Sequence, residues 1–232
     1  MPFTPASLRF LRGLKSHNEK PWFEAHRAEY ESQVREPMRA LINDMDVRFG
    51  SFAPEIGGDP KRSMFRINRD IRFSKDKSPY KTNAGCWFHH RSTTRGVGSE
   101  GAEGSAGFYF HLEPGESFIG AGLWMPPRPM LNKLRDAIAE KPAKFIAMTR
   151  SLPRGYTLND EGALKRMPRG YGEDHPAAKW LRFQSFTCGR KLSDAQVTSA
   201  KLPDLLAREY EGLLPLVRWI NGALGLPASS PR

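Results

Sequence analysis

The spacing of apolar residues changes period twice along this chain, and that change constrains the fold more than any other feature. Leu8, Leu11 and Leu14 recur at helical spacing, as do Trp22, His26, Tyr30 and Val34, which places each set on one helix face. In the middle the period falls to two. Positions 65, 67, 71 and 73 are Phe, Ile, Ile and Phe, while 66, 68, 70 and 72 are Arg, Asn, Asp and Arg. Alternation of that kind gives a strand with one apolar and one charged face. Helical spacing returns at Leu131, Leu134 and Ile138, and again over Leu202–Leu224. Helices, then strands, then helices predict an α+β fold: a mainly antiparallel β-sheet packed against several α-helices. With 232 residues, 39% hydrophobic and no internal repeat, the chain reads as a single domain over 1–232.

Local signals place the elements. Thr4 caps a helix running to about Ser16, with Pro5 at its first position. A second helical run spans Pro21–Phe49 and is expected to kink at Pro37, which lacks an amide hydrogen. Phe65–Phe73 is predicted as a strand, and another short one falls within Tyr80–His90. Phe108–Leu112 and Ser117–Met125 flank Pro114-Gly115, the chemistry of a tight hairpin turn. Helices follow after Pro129 and over Pro142–Arg150. Phe183–Arg190 is a further strand, and Ser193 with Gln196 forms a capping box. The Gly/Ser-rich stretch about 91–107 is expected to be a mobile loop.

Charge narrows the functional classes. The formal net charge is +11. Between Lys61 and Arg95, Lys61, Arg62, Arg66, Arg69, Arg72, Lys75, Lys77, Lys81, Arg91 and Arg95 face only Asp70 and Asp76. Arginine offers two-pronged donation to phosphate or carboxylate, and lysine a compact positive charge. The alternation puts Arg69 among apolar side chains, so a buried guanidinium there needs a charged partner. On a regular strand that partner comes from somewhere other than Asp70. The functional reading is an anionic small ligand, bearing phosphate or carboxylate, bound at segment 65–82. Non-specific nucleic-acid binding is the alternative that the net charge suggests. A structural account ties the arginines to carboxylates such as Glu113, Glu116 or those of the long helices, as an internal ion network within a partner-binding or purely structural domain.

The stretch Phe65–Thr82 resembles the signature of a bacterial and fungal family, domain of unknown function 2461. Asn18–Tyr30 with its Trp22-Phe23 pair, Tyr109–Met125 and Gly170–Asp194 are similar to it as well. Asn68 and Ile71 stand where tyrosine and threonine are expected, and His26 where asparagine is. The resemblance implies a single α+β domain in which Arg66, Arg69, Asp70, Arg72, Lys75, Lys77, Tyr80 and Lys81 form one unit. It brings no activity and no catalytic residues with it.

Other chemistry finds little footing. Gly96–Gly101 matches G-x-G-x-x-G, but a strand-like segment rather than a helix follows, so a flexible connection is the better reading. Cys86 and His89 lack a second pair at metal-binding distance, and no metal or cofactor is expected. The candidates for acid–base work are Asp70 and His111, if both face one surface of the sheet. His111 and Glu113 would share a strand face, an arrangement as common in structural networks. The aromatic pairs Trp22-Phe23 and Trp87-Phe88 are expected to be core. No apolar run approaches the roughly 20 residues of a membrane span, the N-terminus lacks a secretory signal block, and cysteine is sparse. A cytoplasmic location with no membrane partner follows, and oligomeric state is left open.

Overall fold

The computed structural model of the chain describes residues 3–72, 75–93 and 104–229. The Gly/Ser-rich loop expected over about 91–107, and the Gly96–Gly101 motif inside it, fall on or around residues 94–103, which lie outside the described residues.

Helix α1 is Pro5–Ser16. The Thr4 hydroxyl accepts from the Ala6 amide, and the Ser7 side chain accepts from the Thr4 amide in return. The second helical run is divided more finely than expected. Helix α2 (Lys20–Ala25) stops at His26, whose ring nitrogen bonds the Trp22 carbonyl at 2.8 Å. Helix α3 (Arg27–Tyr30) continues through one widened turn, Glu31–Arg35, into α4 (Glu36–Phe52). The break expected at Pro37 is thus absorbed one turn earlier. Pro37 has no amide to offer the preceding turn, and the Glu36 amide reaches back to Glu31 in a π-type bond.

The sheet is a five-stranded antiparallel meander, in the order β1 (Ile56–Gly57), β2 (Ala84–His90), β3 (Gly107–Leu112), β4 (Phe118–Leu123) and β5 (Phe186–Lys191). The predicted strand Phe65–Phe73 is corrected. Only Ser63–Phe65 runs beside β2, with Met64 opposite Cys86. The chain then leaves the sheet as a narrow hairpin, closed by Arg69 N to Pro79 O (2.9 Å) and Lys81 N to Ile67 O (2.8 Å). Of its apolar positions Ile67 is buried and Ile71 is 38% exposed, while Phe73 lies outside the described residues. Alternation was real, but it served a protruding arm.

Helices α5 (Arg128–Glu140), α6 (Pro142–Arg150), α7 (Ala178–Leu181), α8 (Asp194–Val197) and α9 (Leu202–Ala223) complete the α+β fold. One sheet face carries Cys86, Phe88, Phe108, Phe110, Ile119, Ala121, Phe186 and Cys188, all buried. Against it α4 and α9 bring Phe49 and Tyr210, whose rings stack on Phe108 at 5.6 and 4.6 Å. Offset aromatic packing of this kind adds to plain burial. Cys86 and Cys188 are free. They sit on β2 and β5, three strand spacings or roughly 14 Å apart, twice the separation a disulfide tolerates.

Candidate functional site

Since the helices cover one sheet face, the composition of the other decides what the protein can bind. The pairing registers align Gly85, His111, Phe118 and Lys191 in one row, and Trp87, Tyr109, Gly120 and Gly189 in the next. Apart from Gly85, these residues form the floor of an open groove with a volume of about 1260 Å³. Among the described residues, none that lines it belongs to a helix. Phe65 closes the side next to β2, and Thr157–Glu161 the side beyond β5. Trp124 stands at the rim, 63% exposed, beside Met125, which holds the uncommon φ of 43°. A non-glycine residue in that region stores strain of about 1–3 kcal/mol.

Three groups on the floor are linked. The Tyr109 hydroxyl lies 3.0 Å from His111 Nδ1, and His111 Nε2 lies 3.1 Å from Glu113 Oε2. Thr82 Oγ1 donates to the other Glu113 oxygen at 3.4 Å. A carboxylate only accepts, so Nε2 carries the imidazole proton and Nδ1 accepts from the tyrosine. Gly85 permits this arrangement, because a side chain there would place its Cβ 2.7 Å from the Tyr109 hydroxyl oxygen. Burial above all, then Cys86 and Glu113, pushes the Tyr109 phenol well above its ordinary value. It remains a neutral donor unless a base takes its proton.

The basic arm adjoins this end of the groove. Lys81 Nζ sits 5.4 Å over the Phe65 ring, and Phe65 meets Tyr109 edge-on at 5.8 Å. Burial first, then Arg66 and Arg69, lowers the affinity of Lys81 for its proton. Arg69 pairs with Asp76, while its Nε is buried with no hydrogen-bond partner. Arg66 is exposed and makes no ion pair among the described residues. Three cations therefore gather at one corner, with Asp76 paired to Arg69 and Asp70 within electrostatic reach of Arg66.

The other residues singled out in sequence are elsewhere. Asp70 lies on the arm and not on the sheet, so it does not share a surface with His111. It holds Arg72 at 2.7 Å, and the side-chain and backbone bonds from Arg72 bring its carboxyl down to about 2. Lys75 and Lys77 are exposed near the tip, Lys77 donating to the Ile71 carbonyl at 2.9 Å. Tyr80 is buried with its ring stacked on Phe23 at 4.1 Å, and its backbone is held by Asn18. Of the carboxylates expected to pair with the arginines, Glu113 and Glu116 bond His111 and Lys191 instead, while Asp46 of the long helix α4 pairs with Arg91 at 2.8 Å. Tyr109, Thr82 and Gly120 were not singled out, and Trp87 was expected in the core. The signal for Tyr109 was the alternation of 109, 111 and 113 on one hairpin strand. Among the described residues no cluster of three or more His, Cys, Asp or Glu is placed to hold a metal ion, and no helix is long and apolar enough to cross a membrane.

No curated protein and no solved structure matches the chain. A family model described as a conserved hypothetical protein, domain of unknown function 2461, matches residues 6–219. That span takes in the basic arm, the groove floor and the helices behind it, and on that match the chain belongs to this family.

Proposed function

We propose that the protein binds a small anionic molecule in the groove, its phosphate or carboxylate held by Arg66, Arg69 and Lys81 and its body lying against Tyr109, Phe118 and Trp87. The observation that carries this reading is the cation corner itself. Among the described residues Arg66 has no ion pair, the Arg69 Nε is an orphaned buried donor, and burial first, then Arg66 and Arg69, lowers the affinity of Lys81 for its proton. Buried donors without partners are rare in folded proteins. An anion would satisfy all three side chains at once. The aromatic and polar lining beside the corner has the character of a small-molecule site.

A thermal-shift screen with inorganic phosphate, nucleotides, sugar phosphates and dicarboxylates tests it. A ligand at a hundred times its Kd adds about 2.7 kcal/mol, a rise of roughly 5–10 °C for a chain of this size. Arg66→Ala should abolish that rise and leave the melting point of the free protein unchanged, since Arg66 is exposed and makes no ion pair among the described residues. A melting loss without any ligand effect would favour the internal ion network that the Arg69–Asp76 and Arg72–Asp70 pairs already suggest. Salt-steep binding to random oligonucleotides, with no response to small anions, would favour the nucleic-acid reading.

A further inference from the structure

We propose that Tyr109, His111 and Glu113 act as nucleophile, base and orienting carboxylate in the cleavage of phosphate esters, a role that rests on the anion-binding reading above. The two contacts, 3.0 and 3.1 Å, lie within the reach that activated-nucleophile sets share. Their order matches the logic of such sets: an oxygen nucleophile donates to one imidazole nitrogen, and a carboxylate fixes the tautomer from the other side. All three residues line the open groove, so a substrate can reach them. Packing alone would need only the ring of Tyr109 against Phe65 and Phe118. It does not call for a hydroxyl backed by an imidazole and a carboxylate.

Glu113 ties this set to the cation corner. Its second oxygen accepts from Thr82, the residue after Lys81. Lys81 Nζ lies over the Phe65 ring, and that ring meets Tyr109 edge-on, so a phosphoryl group held at the corner would lie at the Tyr109 end of the groove. Substrate selection follows from charge: the corner suits an anionic ester and offers nothing to a neutral one.

In the first step the Tyr109 oxygen attacks phosphorus, and the bond from phosphorus to the ester oxygen breaks. His111 Nδ1 takes the phenol proton and passes it to the departing oxygen, releasing an alcohol and leaving a phosphotyrosine. In the second step water attacks phosphorus with Nδ1 as base. The phosphorus–tyrosine bond breaks and the proton returns to the Tyr109 oxygen. The sum is ester plus water giving alcohol plus phosphate, with no oxidant or metal required by the balance. The cations oppose charge on the phosphoryl oxygens as it shifts.

The test uses the full chain with 4-nitrophenyl phosphate and bis(4-nitrophenyl) phosphate, following nitrophenolate. We expect turnover in the wild type, none above background in Tyr109→Phe, and a fall of about 10²–10⁴ in kcat for His111→Gln, the range that acid–base groups supply. Arg66→Ala should raise KM more than it lowers kcat. An acid quench should trap a phosphate adduct on Tyr109 that Tyr109→Phe lacks. Tyr109→Phe keeps the ring, so its melting point should match the wild type; if it fails to fold, His111→Gln and the trapped adduct decide. Undiminished turnover in Tyr109→Phe overturns the proposal. So does faster cleavage of 4-nitrophenyl acetate than of either phosphate ester. Phosphate binding without any turnover overturns the catalytic inference and leaves the anion site standing, whereas absence of both overturns the two together.

Discussion

A side chain added at Gly107 would begin 1.9 Å from the Phe88 carbonyl oxygen and 3.0 Å from the carbon behind it. Both are backbone atoms of the paired strand, so the ladder itself would have to move. At Gly120, on the groove floor, the nearest atoms to an added Cβ are the Cys188 carbonyl oxygen at 3.4 Å and Tyr109 Cβ at 4.0 Å, an ordinary contact distance. Glycine inside a strand costs about 0.5–1 kcal/mol relative to alanine, and β-branched residues add to strand preference over a range of about 1 kcal/mol. Gly120→Val should therefore leave stability unchanged or raise it by up to about 1 kcal/mol. Gly107→Ala should lose about 3 kcal/mol, the upper end of what overpacking costs. With a urea slope of about 3 kcal/mol/M, these become a midpoint raised by up to about 0.3 M and one lowered by about 1 M. The contrast bears on function because the valine methyls would occupy the groove between Tyr109 and Gly189. Gly120→Val should fold as well as the wild type and lose any melting shift produced by a ligand with a bulky body, while inorganic phosphate at the cation corner still registers. A loss of more than about 1 kcal/mol in Gly120→Val would mean that this position is packed shut, and the groove would no longer explain why glycine stands there.

Further outcomes follow from single contacts. Glu55 is 4% exposed and meets Arg218 at 2.6 Å. Burial alone would raise its carboxyl, but the bonds from Arg218, its own backbone and Ser229 outweigh that and hold it below the ordinary 4.5. Its contribution is complete above 4.5 and fades as pH falls through the lower folded value, so Glu55→Gln should flatten the acid limb of a stability–pH curve; parallel curves would refute this. Arg218→Met should cost about 3–5 kcal/mol by stranding the buried carboxylate, as read from urea midpoints at neutral pH. Burial pushes the Cys188 thiol up to about 12 and Cys86 higher still, so a thiol reagent should label neither in native buffer; labelling as fast as in denaturant would show the core to be open. Trp124→Ala should shift stability by less than about 0.5 kcal/mol, as an exposed substitution does, and a ligand-induced fluorescence change carried by Trp87 on the groove floor should persist.

What could be read from the residues was whatever depends on near neighbours in the chain. The Thr4 and Ser193 caps, the Pro114-Gly115 hairpin turn and the α+β class all rest on local periodicity and turn chemistry. What could not be read depends on register. Whether 65–73 pairs within the sheet or leaves it turns on which residues already occupy the β2 edge, and that edge is taken by Ile56-Gly57 and Ser63–Phe65. The same limit explains the partners of the arginines. Asp76 reaches Arg69 because the arm folds back on itself, a closure set by Asn68 lying opposite Tyr80 and invisible to strand alternation.

The groove shows the limit most sharply. Tyr109 and His111 are two apart and share a face on any strand, but the use of that face depends on where the helices pack. Buried apolar residues alternate with Trp87, Tyr109 and His111, so the meander always had one face richer in polar groups. Helices α4 and α9 both take the apolar face, where Phe49 and Tyr210 stack on Phe108. The consequence is a sheet with one face sealed and one face open, its floor kept low by Gly120 and Gly189. Free polar groups on an uncovered sheet are ordinary. A hydroxyl, an imidazole and a carboxylate in series, next to cations lacking a full set of counter-charges, are not explained by covering a core, and it is that conjunction, not the net charge of +11, that singles out this face as the place to look for chemistry.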